Sequence, residues 1–139
     1  MEQKRIYLVL SYFDSYQGPI PFISFPEKVP SNIESVLTDL MNLDLPETFF
    51  QLEIKKKIKG KFLNRPIMLP SKWARGGQER MLLSVVVPHE MNTLFIDFLF
   101  ENFVEQLKTH PEIFRAFYVN RKTESECKIQ YNVLSKILQ

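Results

Sequence analysis

Few residues in this chain have the chemistry to bind a metal or attack a substrate, and their spacing suits neither task. The segment "HEMNT" (89–93) begins like the HExxH motif of zinc enzymes, but Thr93 stands where the second histidine is required. The other histidine, His110, lies too far along the chain to complete this motif. The single cysteine, Cys127, falls on the apolar side of a predicted helix, where burial makes a thiol unreactive. We therefore predict a non-catalytic protein with no metal site and no cofactor.

A glycine pair in "SKWARGGQER" (71–80) is the second feature with chemical potential. The tripeptide formed by Gly76, Gly77 and Gln78 also occurs in translation release factors, and "GGQER" is similar to a switch region of small GTPases. Release factors need additional domains, however, and a GTPase needs a GxxxxGK[ST] phosphate loop, which this sequence lacks. Glycines that cradle a phosphate normally precede a helix, whereas these precede a predicted strand. We predict that they form a hairpin turn with positive φ angles. Trp73 is expected to pack at the base of this turn, and the alternative is an exposed anchor for a partner.

A basic segment extends from Lys55 to Arg75, with eight Lys or Arg residues and no acidic residue. Two interpretations stay open. The lysines protect an edge strand from unwanted pairing, or the segment binds an acidic protein surface or an anionic lipid layer, at about 1 kcal/mol per basic residue near a membrane. Nucleic acid is not an expected partner, because the segment is short and has few interleaved aromatic residues. Alternation along a strand predicts a strip that faces solvent at one edge of the sheet. Its candidate partner-binding residues are Lys55, Lys57, Lys59, Lys61, Arg65, Lys72, Trp73 and Arg75.

The composition predicts a single domain that spans residues 1–139. A chain of 139 residues with 45% hydrophobic and 24% charged residues is typical of a soluble globular protein. A net charge of +2 is too small for a general nucleic-acid binder. One cysteine excludes an internal disulfide, so we expect a cytoplasmic protein. The short apolar run near the N-terminus predicts a strand and not a signal peptide. No apolar stretch reaches the roughly 18 residues that a membrane-spanning helix needs, so any membrane contact is expected to be peripheral.

Hydrophobic periodicity divides the chain into strands and helices. The predicted strands are 5–13, 20–25, 49–58, 61–69 and 81–87, and the predicted helices are 31–43, 91–108, 111–119 and a last helix from 123 to the C-terminus. Capping boxes at 31–34 and 123–126 are predicted to start two of these helices. The helix 91–108 has one apolar stripe of Leu94, Phe95, Phe98, Leu99 and Phe103 and a second of Ile96, Phe100 and Val104. Such a helix is buried on two sides, or buried on one side and available to a partner on the other.

The order of these elements predicts an α/β (α+β) sandwich. The continuous apolar strands, first and fifth, belong at the centre of a sheet. The second strand contains prolines and the third contains lysines, so both belong at edges. Short connections then favour a five-stranded, mostly antiparallel sheet in the order 2-1-5-4-3. The first helix is expected on one face and the two or three C-terminal helices on the other.

This succession resembles a longin domain, the profilin-like module of membrane-traffic proteins. The resemblance covers residues 1–139, and the opening "IYLVLSYFDSYQGPIPFISFP" (6–26) is similar to the first hairpin of longin-like proteins, archaeal relatives included. No heptad helix follows residue 139, so we do not expect a longin SNARE. The related roadblock domains usually begin with a helix, whereas here a strand begins close to Met1, which favours the longin arrangement. Longin domains share no catalytic motif, so the resemblance implies no active-site residues.

The resemblance implies a scaffold or adaptor that binds other proteins. The expected partners are a small GTPase or another longin or roadblock subunit in a trafficking-like system, with a homodimer and peripheral contact with an anionic membrane as further expectations. The alternative is a PAS-like or GAF-like module that senses a small molecule, because such domains also surround an antiparallel sheet with helices. That alternative requires an enclosed cavity with a few convergent polar groups.

Overall fold

The structure of the chain, a computed structural model, describes residues 6–14, 17–54, 60–73, 77–91, 93, 96–110, 113–118 and 125–138. The strands are β1 (Tyr7–Asp14), β2 (Gly18–Phe25), β3 (Phe50–Ile54), β4 (Gly60–Pro70) and β5 (Gln78–Pro88). The helices are α1 (Ser31–Met41), α2 (Ile96–Lys108) and α3 (Ser125–Leu138), and a 3₁₀ helix (Ile113–Tyr118) lies between α2 and α3 in the sequence. Within the described ranges, no helix is both long enough and apolar enough to cross a membrane.

The five strands form one antiparallel sheet in the order β2-β1-β5-β4-β3, which confirms the predicted order. β1 and β5 are paired on both sides, with Tyr7 opposite Val86 and Tyr12 opposite Met81. Their continuous apolar sequences suit this central place, because both faces of each strand are covered. β2 and β3 form the two edges, also as predicted.

Alternation of side chains gives the sheet two separate hydrophobic cores, one on each face. Val9 and Phe62 are fully buried on the face that α1 covers, where they pack with Ile33 and Leu37 of that helix. The other face packs against α2, the 3₁₀ helix and α3. Its core includes Leu10, Leu63, Leu83, Phe100, Phe114 and Leu134. The predicted placement of helices on both faces is therefore confirmed.

Helix α1 begins without the capping box that its sequence suggests. The helix includes Ser31 as its first residue, and Pro30 occupies the capping position with no side-chain cap. The Pro30 carbonyl oxygen instead accepts hydrogen bonds from the backbone N–H groups of Ile33 (3.1 Å) and Glu34 (3.0 Å). The prediction that Ser31 caps this helix was wrong, because Pro30 (φ −56°, ψ 145°) is the last residue with a non-helical backbone and Ser31 already belongs to the first turn. The helix also ends at Met41, two residues before the predicted end.

The segment after Pro111, which was predicted to be helical over 111–119, forms a 3₁₀ helix from Ile113 to Tyr118. Its buried side chains are spaced by three, as Ile113 with Ala116 and Phe114 with Phe117. A 3₁₀ helix has three residues per turn, so residues spaced by three lie above one another. Residues 123 and 124 of the second predicted capping box and the third-strand residues 55–58 lie outside the described residues.

The half of β4 that β3 does not pair with is protected against pairing with a further strand, as the alternation of its backbone N–H groups shows. β3 pairs with β4 only from Gly60 to Asn64, so β4 has an unpaired edge from there to Pro70. In an antiparallel strand, every second N–H points away from a given neighbour. On this edge those positions are Pro66 and Pro70, which have no N–H, and Met68, whose N–H donates to Glu47 Oε1 at 2.7 Å. The edge therefore offers no vacant backbone donor to another strand.

Candidate functional site

The predicted basic strip is only partly described by the structure. Lys55, Lys57, Lys59 and Arg75 lie outside the described residues. The remaining four candidates do not form one exposed surface. They are Lys61, Arg65, Lys72 and Trp73, of which only Lys72 is exposed.

Arg65 is a buried residue and holds α2 to the sheet. It is 7% exposed, and its Nε donates to Glu101 Oε1 at 2.7 Å while Nη2 lies 3.4 Å from Oε2. Its Nη1 donates to the Pro66 carbonyl oxygen. The expectation that Arg65 extends a strip facing solvent is therefore wrong. The reason is geometric, because odd-numbered side chains of β4 point to the face that α2 covers.

Lys61 lies on the same face of β4 and is also engaged within the chain. Its Nζ donates to the carbonyl oxygen of Met91 at 3.2 Å, and the side chain is half-buried. Met91 belongs to the segment that leads into α2. Lys61 and Arg65 thus share one side of the strand, as alternation predicts, but this side faces the helix layer and its approach.

The glycine segment is a hairpin turn with a packed tryptophan. Gly77 has a φ of +79°, and its carbonyl oxygen accepts the Ser71 N–H at 2.9 Å across the base of the turn. The prediction of a positive φ is confirmed for Gly77, whereas Gly76 lies outside the described residues. Trp73 is half-buried and meets the Phe114 ring edge-on, with centroids 5.3 Å apart and an interplanar angle of 90°. Trp73 is therefore packed at the base of the hairpin.

The residues considered for metal binding or catalysis, His89 and Cys127, are each in contact with other parts of the fold. His89 lies in the turn after β5, with Nδ1 2.8 Å from Glu53 Oε1. The helix predicted over 91–108 begins at Ile96 in the structure, so His89 does not start it. Cys127 is completely buried in α3, as predicted. Among the described residues, no three His, Cys, Asp or Glu side chains are grouped to hold a metal ion.

Asp14 at the end of β1 is buried and organises the first hairpin. Its Oδ2 accepts the Tyr12 hydroxyl at 2.7 Å, and its Oδ1 accepts the Gln17 N–H at 3.2 Å. A carboxylate that bonds the backbone a few residues later is typical of a turn. Asp14 is therefore a buried turn residue.

Helix α2 presents two large apolar side chains to solvent. Phe98 is 74% exposed and Leu99 is 60% exposed. The buried side of the same helix carries Phe100, Phe103, Val104 and Leu107. Phe98 precedes Phe100 by two residues, or about 200° around the helix axis, so the two rings point in opposite directions. The sequence predicted Phe98, Leu99 and Phe103 as one stripe, but only Phe103 is buried.

Acidic side chains lie beside Phe98 on the same helix. Asp97, Glu101 and Glu105 are exposed, and Lys108 in the last turn is the one basic residue of α2. We call Asp97, Phe98, Leu99, Glu101 and Glu105 together the α2 outer surface. This surface combines an aromatic and an aliphatic side chain with negative charge, and it is the candidate functional site.

A second exposed group, around Arg80, has a structural role. The Arg80 guanidinium lies 5.2 Å above the Phe13 ring centroid, and Nη2 donates to the carbonyl oxygens of Met41 (2.8 Å) and Leu43 (3.2 Å). A cation at these carbonyls stabilises the C-terminal end of α1. No local sequence signal predicts this contact, because Arg80 lies 39 residues after Met41.

No protein-family model matches the chain, and no curated protein matches it significantly. The candidate site therefore has to be interpreted from its own geometry.

Proposed function

We propose that this chain is a non-catalytic scaffold or adaptor of the longin type, which binds another protein through the α2 outer surface. The observation that carries the proposal is the exposure of Phe98 and Leu99 side by side on a well-packed helix. Burying a large apolar side chain contributes about 1.5–3 kcal/mol, so covering this pair favours association. Aromatic side chains near the centre of an interface commonly contribute a large part of the binding free energy.

The partner class rests on the longin resemblance and on the fold. A five-stranded sheet with helices on both faces agrees with the expected longin architecture. We propose a small GTPase or another longin or roadblock subunit as the partner, in the cytoplasm or at the periphery of a membrane. The described helices are compatible with such a location, since none of them could span a bilayer.

The direct test compares two double variants in quantitative affinity purification. Phe98→Ser with Leu99→Ser removes the apolar pair of the α2 outer surface. Leu43→Ser with Ile129→Ser is the matched control, because these side chains are 52% and 51% exposed elsewhere on the molecule. We expect the amount of co-purifying protein to fall at least tenfold with the first variant and to be retained with the second. A tenfold change in affinity corresponds to about 1.4 kcal/mol.

Equal recovery of partners by both variants would contradict this interface. A native mass spectrum of the purified wild-type chain tests the function class itself. A protein complex supports the scaffold, whereas a retained small molecule supports the sensor alternative. Both double variants should unfold at temperatures close to that of the wild type, because exposed side chains contribute little to folding.

A further inference from the structure

The charge of the α2 outer surface indicates what kind of protein segment it binds, if the proposed function is correct. Glu101 and Asn102 lie three and four residues after Phe98, and Glu105 lies four and three residues after those two. Residues at these spacings are neighbours on a helix surface. All four are exposed, so a partner that covers the Phe98 ring must approach both carboxylates.

The position of Glu101 is fixed from below by the buried Arg65 guanidinium. Its side chain remains 52% exposed despite this ion pair. Asp97 and Glu105 have no cation within ion-pair distance among the described residues. Asp97 Oδ1 accepts the Phe98 N–H at 2.9 Å, which holds this carboxylate beside the apolar pair. Asp97 and Glu105 thus carry negative charge beside and beyond Phe98 without an ion pair in the described part of the chain, and Lys108 follows Glu105 by three residues.

This charge argues against three classes of occupant. A second copy that used the same surface would place carboxylates against carboxylates, because a two-fold interface joins identical patches. Like charges in contact oppose such an interface. An anionic membrane and a nucleic acid are repelled for the same reason. A protein segment that combines an apolar residue with lysine or arginine complements both features of the surface.

We propose that the α2 outer surface binds a basic amphipathic segment of another protein. An apolar side chain of that segment covers Phe98 and Leu99. Lysine or arginine residues on either side of it lie near Asp97 and Glu105. Charges at an interface rim mainly accelerate association and select the partner, so binding should weaken as salt increases.

A display library of random peptides, each long enough for several helical turns, provides the probe. Peptides are selected on the wild-type chain after those that bind the Phe98→Ser, Leu99→Ser variant have been removed. We expect the enriched sequences to carry a net positive charge, with Leu, Phe or Met flanked by Lys or Arg. The consensus peptide is then synthesised, and its binding to the variants below is measured by fluorescence anisotropy.

Neutralising the surface tests the electrostatic part. Asp97→Asn keeps the oxygen that accepts the Phe98 N–H, and Glu105→Lys reverses the second charge. We expect this double variant to bind the consensus peptide about tenfold more weakly, and we expect wild-type binding to weaken between about 0.05 M and about 0.5 M salt. The matched control is Glu34→Lys with Asp39→Asn on the exposed side of α1, which should bind within about twofold of the wild type.

The outcomes separate this inference from the proposed function. Either of two results contradicts the basic partner but leaves the α2 interface intact. One is a neutral or acidic consensus sequence. The other is a basic consensus peptide that the Asp97→Asn, Glu105→Lys variant binds as well as the wild type does. Selection that yields no peptide dependent on Phe98 and Leu99 contradicts both. A homodimer in sedimentation velocity that the serine variant dissociates shows that the occupant is a second copy, and this also contradicts the inference.

Discussion

Arg65 shows how a cation that looked like a surface residue stabilises the fold. Its guanidinium is buried between β4 and α2, and its partner Glu101 is half exposed. A buried charge that loses its partner keeps the cost of desolvation, whereas replacing it by an apolar side chain of similar size removes that cost. The two halves of the pair are therefore expected to differ in sensitivity.

The prediction is that Glu101→Ala destabilises the protein more than Arg65→Met does. We expect a loss of about 1–3 kcal/mol in the free energy of unfolding for Glu101→Ala, because the Arg65 guanidinium stays buried with fewer partners. Arg65→Met should cost less, because methionine fills much of the same space without a charge. Urea-induced unfolding of both variants gives the comparison. A larger loss for Arg65→Met would show that the guanidinium itself contributes most of the stability.

The surroundings of Arg65 also show why its place in the basic strip was mispredicted. Alternation along β4 correctly placed Lys61 and Arg65 on one side of the strand. It could not show which side a helix covers, because that depends on the contacts of Met91 and Glu101, which lie 30 and 36 residues later in the sequence. The contact of Arg80 with the end of α1 could not be predicted from the sequence for the same reason.

At the scale of elements, prolines protect both edges of the sheet, and a side-chain contact adds to them at one edge. The edge strand β2 contains Pro19 and Pro21, and the unpaired half of β4 contains Pro66 and Pro70. The remaining outward N–H of β4, that of Met68, is occupied by Glu47. Such protection limits pairing between the sheets of different molecules.

We predict that Glu47→Ala lowers stability and promotes association, whereas Glu47→Gln does neither to the same extent. Alanine leaves the Met68 N–H without its acceptor, at a cost of about 0.5–1 kcal/mol for this exposed bond. Glutamine keeps an oxygen in the same place. Urea unfolding measures the stability, and static light scattering at rising protein concentration measures association. If alanine and glutamine variants behave alike, the Glu47 contact does not protect the edge.

The elements themselves were largely predictable from local patterns. Strands β1 and β5 are continuous apolar runs, and the prolines and polar alternation of β2 and β3 marked the edges, so the sheet order followed. The start of α1 was not predictable from its capping box, because the Pro30 carbonyl took the place of the Ser31 side chain. A helix was predicted over 111–119, but its 3₁₀ type was not, because the six residues Ile113–Tyr118 are too few to separate a period of 3.0 from 3.6.

At the scale of the whole molecule, the basic segment and the acidic helix are connected. Two cations of the segment hold the helix layer, Arg65 through Glu101 and Lys61 through the approach to α2. These contacts fix a helix whose outward side carries Phe98 and Leu99. The sequence predicted a helix that is apolar over most of its circumference, and the structure shows which apolar residues remain exposed. A rigidly held helix presents such residues in a fixed arrangement, which reduces the entropic cost of binding.

The most direct test of the α2 interface is site-specific photo-crosslinking in living cells. Phe98 is replaced by a photoreactive phenylalanine analogue, and the same analogue at Leu43 provides the control at an exposed apolar position on another part of the surface. The account predicts that illumination joins position 98 to a defined partner protein and that position 43 does not give this adduct. It is contradicted if position 98 gives no adduct, or if both positions give the same adducts in equal yield.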